Sequence, residues 1–116
     1  MSGDQKVFGP SVQPVIEIVR ADVPEGKLME YVLRNRALNE VLKELVPTAK
    51  ARFWATFVGP NRSNCFNIIE HPNLAAYAEN IAKIEGNPEV RKMGAEVASS
   101  GRVILESSLM LDFPMS

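Results

Sequence analysis

Two glutamates, an arginine and an asparagine set in short apolar runs are the residues of this chain best suited to chemistry. Glu17 lies in Val15-Ile16-Glu17-Ile18-Val19, and Glu106 in Val103-Ile104-Leu105-Glu106-Ser107-Ser108-Leu109. A carboxylate held in an apolar cavity is placed to act as general acid or base; the alternative for either is pairing with Arg20, Arg52 or a partner subunit. Arg52 offers a planar fork to an anionic or enolate oxygen, or closes a salt bridge with Glu17. Asn67 is a donor for a substrate carbonyl. Trp54 is a flat surface for stacking an aromatic ligand, or simply packing at a subunit interface. His71, just before Pro72, reads as a substrate contact or as a loop residue with a surface role. Tyr77 sits on a helical stripe, where it is core or turns its hydroxyl toward a pocket between helix and sheet.

Metal chemistry is disfavoured by the inventory. The chain has one histidine and one cysteine, whereas a structural zinc takes four such ligands. Cys65 cannot close an intrachain disulfide, and its strand position suits a small packed residue more than a nucleophile. A formal net charge of −1 with dispersed basic residues leaves no electrostatic case for nucleic acid. No apolar run approaches the roughly 20 residues needed to cross a bilayer. Residues 1–13 are polar, without a basic-then-apolar leader pattern, so a cytoplasmic location is expected.

The elements that position these side chains follow from periodicity. With 116 residues, 46% of them hydrophobic, the chain has the size of one domain able to bury a core unaided. Residues 1–13 read as a flexible arm and 14–116 as the folded domain. A strand at Val15–Val19 leads through Asp22-Val23-Pro24-Glu25-Gly26-Lys27, with Asp22 as the expected cap, into a helix reaching about Val46. Strands are expected over Lys50 to Val58 and Asn64 to Ile69, joined by the turn-rich Gly59-Pro60-Asn61-Arg62-Ser63. Asn73 and Asn87-Pro88 each cap a further helix, Gly86 separates the two, and a last strand runs from Arg102 to about Phe113.

This order is that of an α+β, ferredoxin-like domain: a four-stranded antiparallel sheet with its helices on one face. Alternation assigns Ile16, Ile18, Phe53, Ala55, Phe57, Phe66, Ile68, Val103, Leu105 and Leu109 to the helix side. Glu17, Arg52, Trp54, Asn67, Glu106 and Ser108 are then expected opposite, with Val15, Val19, Ile69, Ile104 and Met110. Such a face carries more apolar surface than a monomer leaves in water, which implies a homodimer pairing sheet to sheet around a cavity.

With the Val23-Pro24-Glu25-Gly26-Lys27 corner, an aromatic second strand ending at Gly59 and the Asn87-Pro88-Glu89-Val90 cap, the chain resembles the dimeric alpha-beta barrel superfamily over about residues 14 to 113. That superfamily includes antibiotic-biosynthesis-type monooxygenases, NIPSNAP-type proteins, and small isomerases and cyclases. The resemblance implies a cofactor-independent enzyme acting on an aromatic or polyketide-like small molecule, by oxygen insertion or proton transfer. The alternative is a non-catalytic dimer that binds a small hydrophobic molecule or has a structural role. Haem-degrading members pair a first-strand asparagine with a tryptophan and a helix-borne histidine; the first strand here has no asparagine, so haem is not expected.

Overall fold

These patterns resolve, in a computed structural model that describes Gly9 and residues 11–60 and 63–115, into four strands and three helices among those residues. In chain order they are β1 (Val15–Asp22), α1 (Leu28–Leu45), β2 (Lys50–Ala55), β3 (Asn64–His71), α2 (Leu74–Glu85), α3 (Pro88–Ala98) and β4 (Val103–Leu111). The strands form one antiparallel sheet in the order β2-β3-β1-β4, the ferredoxin-like plan. No helix among the described residues is long and apolar enough to cross a membrane.

Caps and turns explain most boundaries. Asn73 Oδ1 accepts from the Ala76 amide at 2.8 Å and Asn87 Oδ1 from the Val90 amide at 3.0 Å, with Pro88 in the first turn of α3. Asp22, expected to cap α1, does not. It is the last residue of β1, too far from the helix amides, and accepts instead from the Ser63 hydroxyl and the Asn64 amide. The turn into α1 relies on Gly26 at φ +83°, a left-handed conformation that favours glycine. β2 stops at Ala55, leaving Phe57 and Val58 exposed. Two residues of the expected connector, Asn61 and Arg62, lie outside the described residues. β3 continues past Ile69 to His71, because Val15 at the start of β1 still has a pairing partner there.

Register corrects the expected faces. In β1 and β3, Val15 opposes His71, Glu17 opposes Ile69, Val19 opposes Asn67, and Ala21 opposes Cys65. Ala21 and Cys65 belong to the core with Val23, Tyr31 and Val97, against which Leu28, Leu38 and Phe53 pack. Glu17 and Asn67 therefore face the helices, and Ile16, Ile18, Phe66 and Ile68 face away, the reverse of the assignment from alternation. Both faces of β1 and β3 carry apolar residues, so alternation alone leaves their phase open. Partial burial of Glu17 is tolerated because His71 supplies a partner. Phe53 does pack toward the helices, and Arg52 and Trp54 point away, as expected; Ala55 is on the helix side but exposed, and Phe57 lies exposed beyond the strand end rather than against the helices. In β4 the register jumps between Arg20 and Ala21, which oppose Glu106 and Ile104, so Leu105 is the extra residue of a β-bulge. The bulge turns Ile104 to the helix side and Val103 outward, while Glu106 and Ser108 stay on the open face.

The arm expected over residues 1–13 falls largely on residues 1–8 and 10, outside the described residues. What precedes β1 here is tied down. The Gln13 side chain is buried and donates to the Asp112 carbonyl at 2.8 Å, and the Asp112 amide donates to the Pro14 carbonyl at 2.9 Å.

Candidate functional site

A chain of polar side chains runs through the apolar layer between the sheet and the helices. His71, at the end of β3, is fully buried, with 0% of its side chain exposed. Its Nε2 lies 3.0 Å from Glu17 Oε2, and its Nδ1 lies 3.0 Å from Asn80 Nδ2 on α2. Asn80 is buried as well, and its amide donates to the Thr48 hydroxyl at 3.0 Å, just after α1. With the Asn80 amide nitrogen on Nδ1, that ring nitrogen accepts, so the imidazole proton sits on Nε2 and faces the Glu17 carboxylate. Tyr77 closes the cluster from α2, its ring meeting the His71 ring edge-on with centroids 5.1 Å apart. Burial, followed by the negative charges of Glu17 and Glu85, pushes the Tyr77 hydroxyl above its ordinary value, so it stays protonated at neutral pH.

Beside this cluster lies a cavity of about 320 Å³ between α1 and the sheet. Its apolar wall is Val19, Leu38, Leu42, Ile69 and Ile104, and its polar groups are Asn35 and Asn39 from α1, Asn67 from β3, and Arg102 and Ser107 around β4. A narrow gap of about 20 Å³, lined by Leu42, Ala51, Ile69 and His71, adjoins it. Glu17 sits directly across from Ile69 and two residues along β1 from Val19, both cavity residues. A second recess of about 320 Å³ shares Asn35, Asn39, Ala51 and Asn67 with the first and continues to the sheet edge, where Arg36 and Arg52 line it. Arg102 is steadied by Tyr31: its Nη1 donates to the tyrosine hydroxyl at 3.3 Å. A larger recess of about 640 Å³ at the β1–α1 corner is bounded by Asp22, Glu25, Pro60 and Ser63. It lies at the far end of β1 from His71.

The fold thus brings Glu17, His71 and Tyr77 together, sets Asn67 in the adjoining cavity, and puts Arg52 at its outer edge. It separates Glu106 and Trp54 from them. Glu106 is on the open face, 3.8 Å from Arg20 and 3.1 Å from Ser108, so the expectation that it shares a cavity with Glu17 is corrected by the register of β1. The salt bridge expected between Arg52 and Glu17 is likewise absent, the two side chains leaving opposite faces of the sheet. His71 is a buried strand residue rather than a surface loop residue. Among the described residues no three His, Cys, Asp or Glu side chains stand together as metal ligands.

Sequence reasoning missed Asn80, Asn35 and Asn39. The signal was present: Asn80 falls three residues after Tyr77 and four before Ile84 on the inner stripe of α2, and Asn35 and Asn39 fall between Val32 and Leu42 on that of α1. A polar residue on an apolar stripe needs a buried partner.

No protein-family profile matches the chain, and no curated protein does. Solved structures do. A NIPSNAP family protein from Agrobacterium tumefaciens superposes with a TM-score of 0.69 at 16% identity, covering 96% of each chain. A second NIPSNAP family protein from that organism, of unknown function, gives 0.70 at 16% identity over 90% of this chain and 92% of its own. A candidate antibiotic biosynthesis monooxygenase from Bacteroides thetaiotaomicron gives 0.62 at 16% identity, over 90% and 91%. The chain has the fold these proteins share, the fold its sequence resembles.

Proposed function

We propose that the protein is a small enzyme that transfers a proton on an aromatic or polyketide-like molecule held between α1 and the sheet, with Glu17 as the base. The observation that carries this reading is the Glu17–His71–Asn80 chain, its histidine and asparagine buried and its glutamate half-buried, next to a cavity with polar donors. Glu17 takes a proton from an acidic C–H or phenolic O–H of the substrate. Asn67 donates to the oxygen on which the resulting negative charge collects, and His71 holds the carboxylate in place. If the proton returns at a different carbon the substrate is isomerised; with dioxygen as co-substrate the carbanion reduces O2 to a carbon-bound peroxide, which takes up the proton, breaks its O–O bond and loses water to leave a carbonyl. Neither route draws on a metal or an organic cofactor. The fold neighbours support the class, since monooxygenase-like proteins are among them.

The open sheet face completes the proposal. Ile16, Ile18, Phe66 and Ile68 are half-buried there, with Trp54, Val103 and Met110 more exposed beside them. A second copy laid face to face covers this surface, giving a homodimer in which Trp54 and Glu106 belong to the subunit contact.

Screening phenols, quinols and lactones for turnover, followed by Glu17→Gln assayed at saturation, tests the reaction. A general base contributes about 100-fold or more. A loss of that size in kcat with binding retained supports the assignment. Wild-type turnover in Glu17→Gln refutes it, and saturable binding without turnover of any compound leaves a small-molecule-binding protein.

A further inference from the structure

The two recesses that meet at Asn67 carry no carboxylate. Their polar lining is Arg36, Arg102, three asparagines and a serine, set against an apolar wall; Arg52 borders the outer edge from β2, its side chain directed to the other face of the sheet. That is not what composition supplies by default, because the chain has 14 acidic residues against 13 basic ones. Elsewhere Arg20 pairs with Glu106 and Arg34 with Glu30 at 2.9 Å, and Arg91 is exposed on α3, where water solvates it. No ion pair joins Arg36, Arg52 or Arg102 to an acidic side chain among the described residues. Arg102 is half-buried and faces a neutral phenol, Tyr31, so its charge is balanced by neither a carboxylate nor full solvation.

We infer that the natural ligand is an anion: an apolar, ring-bearing body with a carboxylate or a stable enolate, its negative end held by the Arg102 guanidinium and its apolar body against Val19, Leu42 and Ile69. This rests on the cavity of the proposed reaction and names its substrate class. A guanidinium meets a carboxylate through two parallel N–H bonds, a match an amide of the same shape cannot make. The reacting part then lies toward His71 and Glu17, away from Arg102, which keeps the substrate charge clear of the Glu17 carboxylate.

The probe pair is 2-naphthoate and 2-naphthamide, titrated into the wild-type protein by calorimetry at low and at physiological salt. The acid is expected to bind about tenfold tighter than the amide, and salt to narrow the gap. Arg102→Gln should reduce that preference, while Arg52→Gln, directed to the other face of the sheet, and Arg91→Gln, exposed on α3 and lining neither recess, should not. Equal affinity for the two compounds, an unchanged preference in Arg102→Gln, or no saturable binding of either overturns the inference. Glu17→Gln separates it from the proposed reaction. Acid preference retained in a protein that turns over nothing removes the reaction alone, and Glu17-dependent turnover without acid preference removes the anionic substrate alone.

Discussion

Replacing Asn80 with leucine isolates the physics of the buried chain. Leucine has a similar size, so it fills the site without opening a large cavity, but it cannot donate to His71 Nδ1. That nitrogen is buried and has Asn80 as its hydrogen-bond partner at 3.0 Å. Leaving a buried acceptor unsatisfied costs about 1–3 kcal/mol. Thr48, also released, is exposed and recovers a bond to water at little cost. The expected destabilisation is therefore about 2 kcal/mol, read as a lower urea midpoint at unchanged slope. His71 is the sole histidine, so ¹⁵N spectra of the imidazole report it without assignment. Wild type should show a protonated Nε2 and a bare Nδ1. Asn80→Asp replaces the donor by an acceptor, so Nδ1 must carry a proton in that variant. A loss below about 0.5 kcal/mol in Asn80→Leu, or a wild-type ring spectrum in Asn80→Asp, would refute the argument that Asn80 sets the histidine.

Trp54→Glu places a charge on the open face of the sheet and should convert the proposed dimer to monomer or aggregate in light scattering; an intact dimer would move the interface elsewhere. Burial, then the nearby negative charge of Asp22, pushes the Cys65 thiol above its ordinary value of 9.0. A group with a raised folded pKa stabilises the native state below its unfolded value and loses that contribution as pH climbs through the folded one. Stability should thus fall on going from pH 8 to pH 10, less steeply in Cys65→Ala, and the native thiol should resist an aromatic disulfide reagent that labels it at once in urea. Equal pH slopes for the two proteins would show that Cys65 is not a source of the fall.

Element order was legible because it depends on local chemistry. Asn73 and Asn87-Pro88 stop and start helices through bonds to amides three residues away, and Gly86 ends α2. The order of strands and helices then admits few topologies, of which the ferredoxin-like sheet is the common one. What only the tertiary structure decided is which way each strand faces. In β1, Ile16 and Ile18 on one side compete with Val15, Val19 and Ala21 on the other, and a one-residue change of phase exchanges the two sets. The choice is made by partners distant in sequence: His71, 54 residues from Glu17, satisfies that carboxylate beneath the helices, and Asn80 on α2 satisfies His71 in turn. The bulge at Leu105 is equally non-local, since it is defined against β1. Local rules see neither, so the composition of the candidate site follows from side-chain pairing across the sheet rather than from any motif along the chain.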